Sequence, residues 1–207
     1  MRDQSRGEEI ANSISHGVGF LGAVAVTPVL IIAAIPSGPS AIVGASIFGA
    51  TMMVLYLVSC LYHAFPENRA KRLFQIFDHG AIFLLIAGTY TPFTLSVLEG
   101  AWGWSLFGVV WSFAIAGVVL KSVGGPRSGK LSTGLYLAMG WMAVVAAKPL
   151  YTNLSAEGLF WLLAGGAMYS GGVFFFMIDN RVRYSHFIWH IFVLMGTACH
   201  VMAVFKS

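Results

Sequence analysis

Charge is what this sequence lacks most. Asp, Glu, Lys and Arg make up 10% of its 207 residues, where a water-soluble domain carries about 25%. The few charges also avoid windows of about twenty residues, the length a helix needs to cross a hydrocarbon core of roughly 30 Å. Only two cysteines occur. Cys60 and Cys199 fall toward opposite ends of those windows, too far apart for a disulfide, so they carry no information about redox compartment. No basic stripe stands apart from the loops, which argues against nucleic acid as a partner. The opening stretch, MRDQSRGEEIANSISHG, lacks the basic start, apolar core and small-residue cleavage site of a signal peptide. The first apolar helix is therefore expected to be retained.

What is present is apolar: 57% hydrophobic residues and 24 glycines. Seven windows are long enough to span a membrane: Gly17 to Ile35, Ala41 to Tyr62, Leu73 to Leu98, Trp102 to Leu120, Leu131 to Leu150, Leu159 to Ile178 and Tyr184 to Phe205. The breaks between them are short and rich in turn formers, as in PSGPS at 36–40, PENRAKR at 66–72, SVGGPRSGK at 122–130 and DNRVR at 179–183. The expectation is an all-α polytopic membrane protein of seven transmembrane helices, one domain over residues 1–207 with a short segment, 1–16, ahead of the first helix. Positive charge is retained on the cytoplasmic side of a membrane. Arg2, Arg6, Arg69, Lys71, Arg72, Lys121, Arg127, Lys130, Arg181 and Arg183 all fall in one alternating set of loops, and only Lys148 and Lys206 in the other. That partition predicts a cytoplasmic N-terminus and a C-terminus outside.

Two nucleotide-like patterns lack their context. GVGFLG at 17–22 satisfies GxGxxG but opens a membrane helix, so it reads as close helix packing. GGPRSGKL at 124–131 has Leu131 where a phosphate loop needs Ser or Thr, and no strand leads in. No nucleotide is expected. GGAMYSGG at 165–172 reads as a small-residue packing face, and Trp102, Trp104, Tyr151 and Trp161 as an interfacial belt.

Polar residues inside apolar windows are expensive and call for a reason. His63 ends the second window with Ser59 one turn deeper on the same face. Asp78 stands near the start of the third, and His186 and His190 open the seventh. The topology brings all of them to one side of the membrane, within a slab of about 10 to 15 Å. A single histidine near a helix end is ordinarily an interfacial residue bonded to headgroups or water. A pair at i and i+4 can instead reach one ion, and spacing alone leaves both readings open. His200 lies ten residues beyond His190, about 15 Å along the helix, too far to share an ion. His79 points about 100° away from Asp78. His79, His16, Glu9 and Asn12 are candidates for supporting the site from behind the ligands.

The motifs EEIANSISHGVG, SCLYHAFP, FDHGAIFLLIAGTYTPF and SHFIWH, spread from Glu8 to His190, together resemble the bacterial haemolysin III family of the progestin and adipoQ receptor (PAQR) superfamily. The resemblance covers nearly the whole chain and implies a multi-pass protein of the bacterial inner membrane. It implies a zinc ion held by His63, His186 and His190, with Asp78 positioning a water and Ser59 beside it. Three histidines leave a fourth position open, the pattern of catalytic zinc. Such an ion lowers the pKa of its water to about 7 and so favours attack on an amide or ester carbonyl. Three functions follow: a zinc-dependent hydrolase of a membrane lipid, a non-catalytic sensor or regulator of lipid homeostasis with structural zinc, and, least supported, a pore-forming haemolysin. The lipid and the oligomeric state are not specified by any motif.

Overall fold

The computed structural model describes residues 4–98, 100–124 and 129–207. Arg2 and Arg127, two of the cations used for orientation, lie outside them. The described residues are helices joined by short turns, with seven helices long and apolar enough to cross a membrane. They form α1 (Arg6–Ala34), α2 (Pro39–Ala64), α3 (Arg69–Pro92), α4 (Gly100–Gly124), α5 (Gly129–Trp141), α6 (Ala147–Asn153), α7 (Ala156–Met177) and α8 (Ser185–Phe205).

α1 begins at Arg6 rather than at Gly17. Ser5, in extended conformation, caps it reciprocally: its hydroxyl accepts from the Glu8 amide while the Glu8 carboxylate accepts from the Ser5 amide at 2.9 Å. The polar residues that disguised this start are not solvated. Glu8, Asn12, Ser15 and His16 are buried along one face, so three polar turns pack into the bundle before the apolar stretch starts. Glu8 does a second job, accepting from the Tyr184 amide at 2.8 Å. Tyr184 has φ 58°, the sole positive φ of a described non-glycine residue, a sparsely populated conformation for a bulky side chain. The first turn of α8 is thus tied to the first turn of α1, and Ser185 ties it to α7 by donating to the Phe175 carbonyl at 2.7 Å.

The fifth window is not one continuous helix. α5 and α6 are separated by a 3₁₀ stretch, Met142–Ala146. Pro149 accounts for the break, because it lacks an N–H and its ring clashes with the carbonyl four residues back. The freed backbone groups are satisfied by one side chain. The Tyr90 hydroxyl accepts from the Ala143 amide at 2.8 Å and approaches the carbonyls of Gly140 at 2.7 Å and Met139 at 2.9 Å. A broken span is tolerated at membrane depth only where a neighbour re-satisfies its backbone in this way.

α1 packs against α2 and α8, α3 lies between α2 and α4, and α7 packs along α8, whereas α5 and α6 touch their neighbours sparsely. Of the glycine patterns, Gly19 sits against Tyr56 and Leu194, and Gly165 and Gly172 against His200 and Trp189, so both are close-packing faces. Trp102, Trp104 and Tyr151 are exposed on the bundle surface, the position an interfacial belt requires.

Candidate metal centre

Two helices deliver three imidazoles to one point. His63 comes from the last turn of α2, His186 and His190 from the first two turns of α8. One ligand atom from each lies within 4.8 Å of the others. The rings approach edge-on or tilted, with centroids 4.8 to 5.2 Å apart, so their nitrogens rather than their faces meet.

The hydrogen bonds behind these rings decide which nitrogen is available. His63 Nδ1 lies 2.7 Å from Glu9 Oε2, and His186 Nδ1 lies 3.0 Å from Asp179 Oδ2. His190 Nδ1 lies 3.3 Å from the Asn12 carbonyl and 3.1 Å from Ser15 Oγ, whose own proton goes to that carbonyl. Carboxylates and carbonyls only accept, so each Nδ1 carries the proton and each Nε2 keeps its lone pair. His63 Nε2 is buried without a protein partner. Three imidazoles oriented from behind by oxygen acceptors, with Nε2 turned to one another, are the arrangement in which histidines bind a metal, and the set could hold one first-row divalent ion.

Glu9 is itself fixed. Its other oxygen accepts from Lys71 Nζ at 2.9 Å, and Lys71 also donates to the carbonyls of Tyr62 and Phe65. A carboxylate between a lysine and an imidazole orients that imidazole firmly. Asn12 approaches His63 less closely: its Nδ2 is 3.5 Å from Nδ1, which sets two donors face to face when Nδ1 is protonated. The Asn12 amide bonds instead to Gln4 at 2.6 Å.

Asp78 and Ser59 are buried and line the same cavity as His186 and His190. The Ser59 hydroxyl sits beside the Asp78 carboxyl, outside regular hydrogen-bond geometry. His79 also lines the cavity, while its carbonyl accepts from Tyr136 at 2.7 Å. His16 is not at the start of its helix but midway along it, its ring stacked on His190 with centroids 3.6 Å apart and 5° between planes. His200 stays outside the cluster, stacked on Tyr169 instead.

The cavity measures about 500 Å³ and runs from these residues past Leu85, Thr89 and Phe93 to Leu98 and Leu150 at the far end of the bundle. Most of its lining is Leu, Ile, Val and aromatic side chains. Trp141, Val144, Tyr151 and Leu163 line it and are also exposed on the outer surface. It therefore opens sideways, between the broken span and α7.

Sequence reasoning missed Asp179, Ser15 and Lys71 as partners behind the ligands. Asp179 stands seven residues before His186 in a turn, and Ser15 and Lys71 are far in sequence from the rings they serve. No helical spacing connects such pairs: the fold of the α7–α8 turn brings Asp179 to His186, and the packing of α1 against α2, α3 and α8 brings in Ser15 and Lys71.

Residues 4–201 match the family described as Haemolysin-III related. The chain is 46% identical to Hemolysin-3 of Bacillus cereus over 192 residues, 92% of this chain and 87% of that protein. It is 45% identical to the Hemolysin-3 homolog of Bacillus subtilis (strain 168) over 198 residues, 95% of this chain and 92% of that protein. A more distant likeness, 26% over 169 residues, links it to the human Monocyte to macrophage differentiation factor, covering 77% of this chain and 68% of that protein. With seven membrane-length helices and this match over nearly its full length, the chain belongs to the haemolysin III family of the PAQR superfamily.

Proposed function

We propose that this protein is a zinc-dependent hydrolase that cleaves an amide or ester bond of a membrane lipid, with His63, His186 and His190 holding the ion. The observation that carries this reading is a juxtaposition. Three imidazoles, a buried carboxyl and a buried hydroxyl gather at one end of an apolar cavity that opens sideways, and all but His63 line it. The donor set leaves one position of a tetrahedral zinc shell for another ligand. Zinc held there supplies Lewis acidity to polarise a carbonyl and to ionise water near neutral pH. Asp78 takes up the proton of the attacking water at a carboxylate oxygen and passes it to the leaving group. Ser59 donates its hydroxyl proton to the carbonyl oxygen as charge gathers on it. The apolar walls hold the acyl chain and keep bulk water from the reacting groups. Membrane lipids are the partners this wall suits, and they enter from the bilayer between α5–α6 and α7.

The partition of Lys and Arg supports an N-terminus and a histidine centre on the cytoplasmic side and a C-terminus outside, and the bacterial relatives support placement in a bacterial inner membrane. A regulator with structural zinc is the second reading, favoured by the way one ion would tie α2 to α8 at the point where α1 already joins both.

The deciding experiment uses protein purified into liposomes, assayed for bound zinc and for fatty-acid release from amide- and ester-linked lipids with and without chelator. About one zinc per chain is expected, with most of it lost in His63→Ala or His186→Ala. Asp78→Asn should keep the zinc and lose about 10²-fold or more of the release. Zinc-loaded protein with no chelator-sensitive release from either lipid class, and an Asp78→Asn variant that behaves as wild type in cells, would replace the hydrolase by the regulator.

A further inference from the structure

Six buried side-chain atoms among the described residues lack a hydrogen-bond partner, and five of them surround the histidine centre: Asn12 Oδ1, both ring nitrogens of His16, Ser59 Oγ and His63 Nε2. Buried polar groups are nearly always paired, and each exception needs its own explanation. His63 Nε2 is explained by an ion, and Ser59 by its place beside Asp78. His16 is used by neither. It is 3% exposed, and a neutral imidazole always presents one N–H and one lone pair.

No protein group hydrogen-bonds to that ring. His190 lies flat against it and already uses Nδ1 toward Asn12 and Ser15. Tyr56 meets it edge-on at 5.1 Å, but the Tyr56 hydroxyl is given to Thr197 at 2.7 Å. The ring is held by a stack on one side and an aromatic edge on another, so it cannot turn away to find a partner. It lines the cavity together with Ser59 and Asp78. What can reach it is whatever occupies the cavity.

We infer that His16 is a specificity-determining residue: its imidazole hydrogen-bonds to a neutral polar group, a hydroxyl or an amide, at the head of a single-chain amphiphile lying in the cavity. The inference rests on the reading of the cavity as the lipid site, and it adds a second anchor on α1 beside the metal-binding histidines of α2 and α8. A rigid, buried hydrogen-bonding group selects for ligands that complement it, because a ligand lacking the polar group leaves it unpaired.

The test measures binding, not turnover. Full-length protein in detergent, both zinc-loaded and chelator-stripped, is titrated with 1-hexadecanol and with the hydrocarbon n-hexadecane in competition with a fluorescent acyl probe. Wild type should prefer the alcohol, and His16→Phe, which keeps the stack on His190 but has no ring nitrogen, should reduce that preference by about tenfold. Hydrocarbon affinity and zinc content should stay unchanged. His16→Gln, which can still donate and accept, should recover part of the preference and serves if the phenylalanine variant fails to fold. An unchanged preference in His16→Phe overturns the inference, as does a preference that His16→Gln restores no better than His16→Phe, or loss of zinc with the preference intact, which would make His16 a support for the ion. Because the stripped protein is read as well, failure here leaves the hydrolase reading standing, and failure of turnover leaves this one standing.

Discussion

On one side of the cavity α1, α2, α3 and α8 approach through glycines. A Cβ on Gly44 would sit 2.8 Å from the Pro92 Cα, and one on Gly19 would run into Leu194. On the other side, Gly134 and Gly140 of α5 have nothing within 4 Å of such a carbon, and α5 and α6 touch their neighbours sparsely, although Gly165 and Gly172 hold α7 closely against α8. The first wall also carries the polar ties: Glu8 to Tyr184, Glu9 to His63, Ser15 to His190. The second has a broken span and the sideways opening. The contrast assigns different work to the two walls. Groups that must hold a fixed geometry are mounted where backbones are in contact and side chains cannot drift. Under the proposed function, the wall that admits the lipid is the α5–α6 side, which has few contacts to break.

The largest effect expected from breaking this contrast lies in the rigid wall, at Glu9. Glu9→Gln keeps the shape of the side chain but removes the charge between Lys71 and His63 Nδ1. An amide can present its N–H₂ to Nδ1 as readily as its oxygen, so the imidazole is no longer held in one tautomer. Zinc affinity should fall by about 10- to 100-fold, with the fold unchanged by circular dichroism. A competitive zinc titration reads it, and an affinity equal to wild type would mean that the ligands hold their orientation without α1.

On the loose wall the comparable device is Tyr90. Its hydroxyl serves the backbone of residues 139 to 143 where the fifth span breaks. Tyr90→Phe preserves the ring and strands an amide and a carbonyl in an apolar setting. The expected cost is roughly 1–3 kcal/mol, read as a lowered unfolding temperature in detergent while bound zinc stays at the wild-type level. Zinc loss on this substitution would show that the two walls are coupled more tightly than their contacts suggest.

The division between what could and could not be read in the sequence follows the same line. Membrane spans are legible because charge is scarce, and the His63, Asp78, His186 and His190 positions stand out because polar residues in such spans are costly. The true start of α1 was hidden, since Glu8 and Asn12 look like solvated residues until the helices that bury them are in place. The break at Met142–Ala146 was hidden because an apolar window has no register, and Pro149 near its edge reads equally well as a helix end. The partnership of Asp179 with His186 depends on the fold of an irregular turn, and the stack of His16 on His190 on the rotation of one helix against another. That rotation is set by glycine contacts spread over the bundle, which spacing along one helix does not encode.

The smallest effect tests the loose wall by itself. In a helix interior Gly is less favourable than Ala by up to about 1 kcal/mol, since it gives up more backbone freedom on folding. At a packed position this gain is outweighed by the collision of the new methyl group. Gly44→Ala should therefore destabilise the protein, because the group it meets is the Pro92 backbone, which cannot rotate aside. Gly134 lies in α5 with no neighbour to meet, so Gly134→Ala should raise stability by roughly 0.5–1 kcal/mol. The pair should shift the unfolding temperature in opposite directions. If Gly134→Ala destabilises instead, α5 packs more tightly than its open surroundings indicate. The way in for a lipid would then have to be sought elsewhere on the bundle.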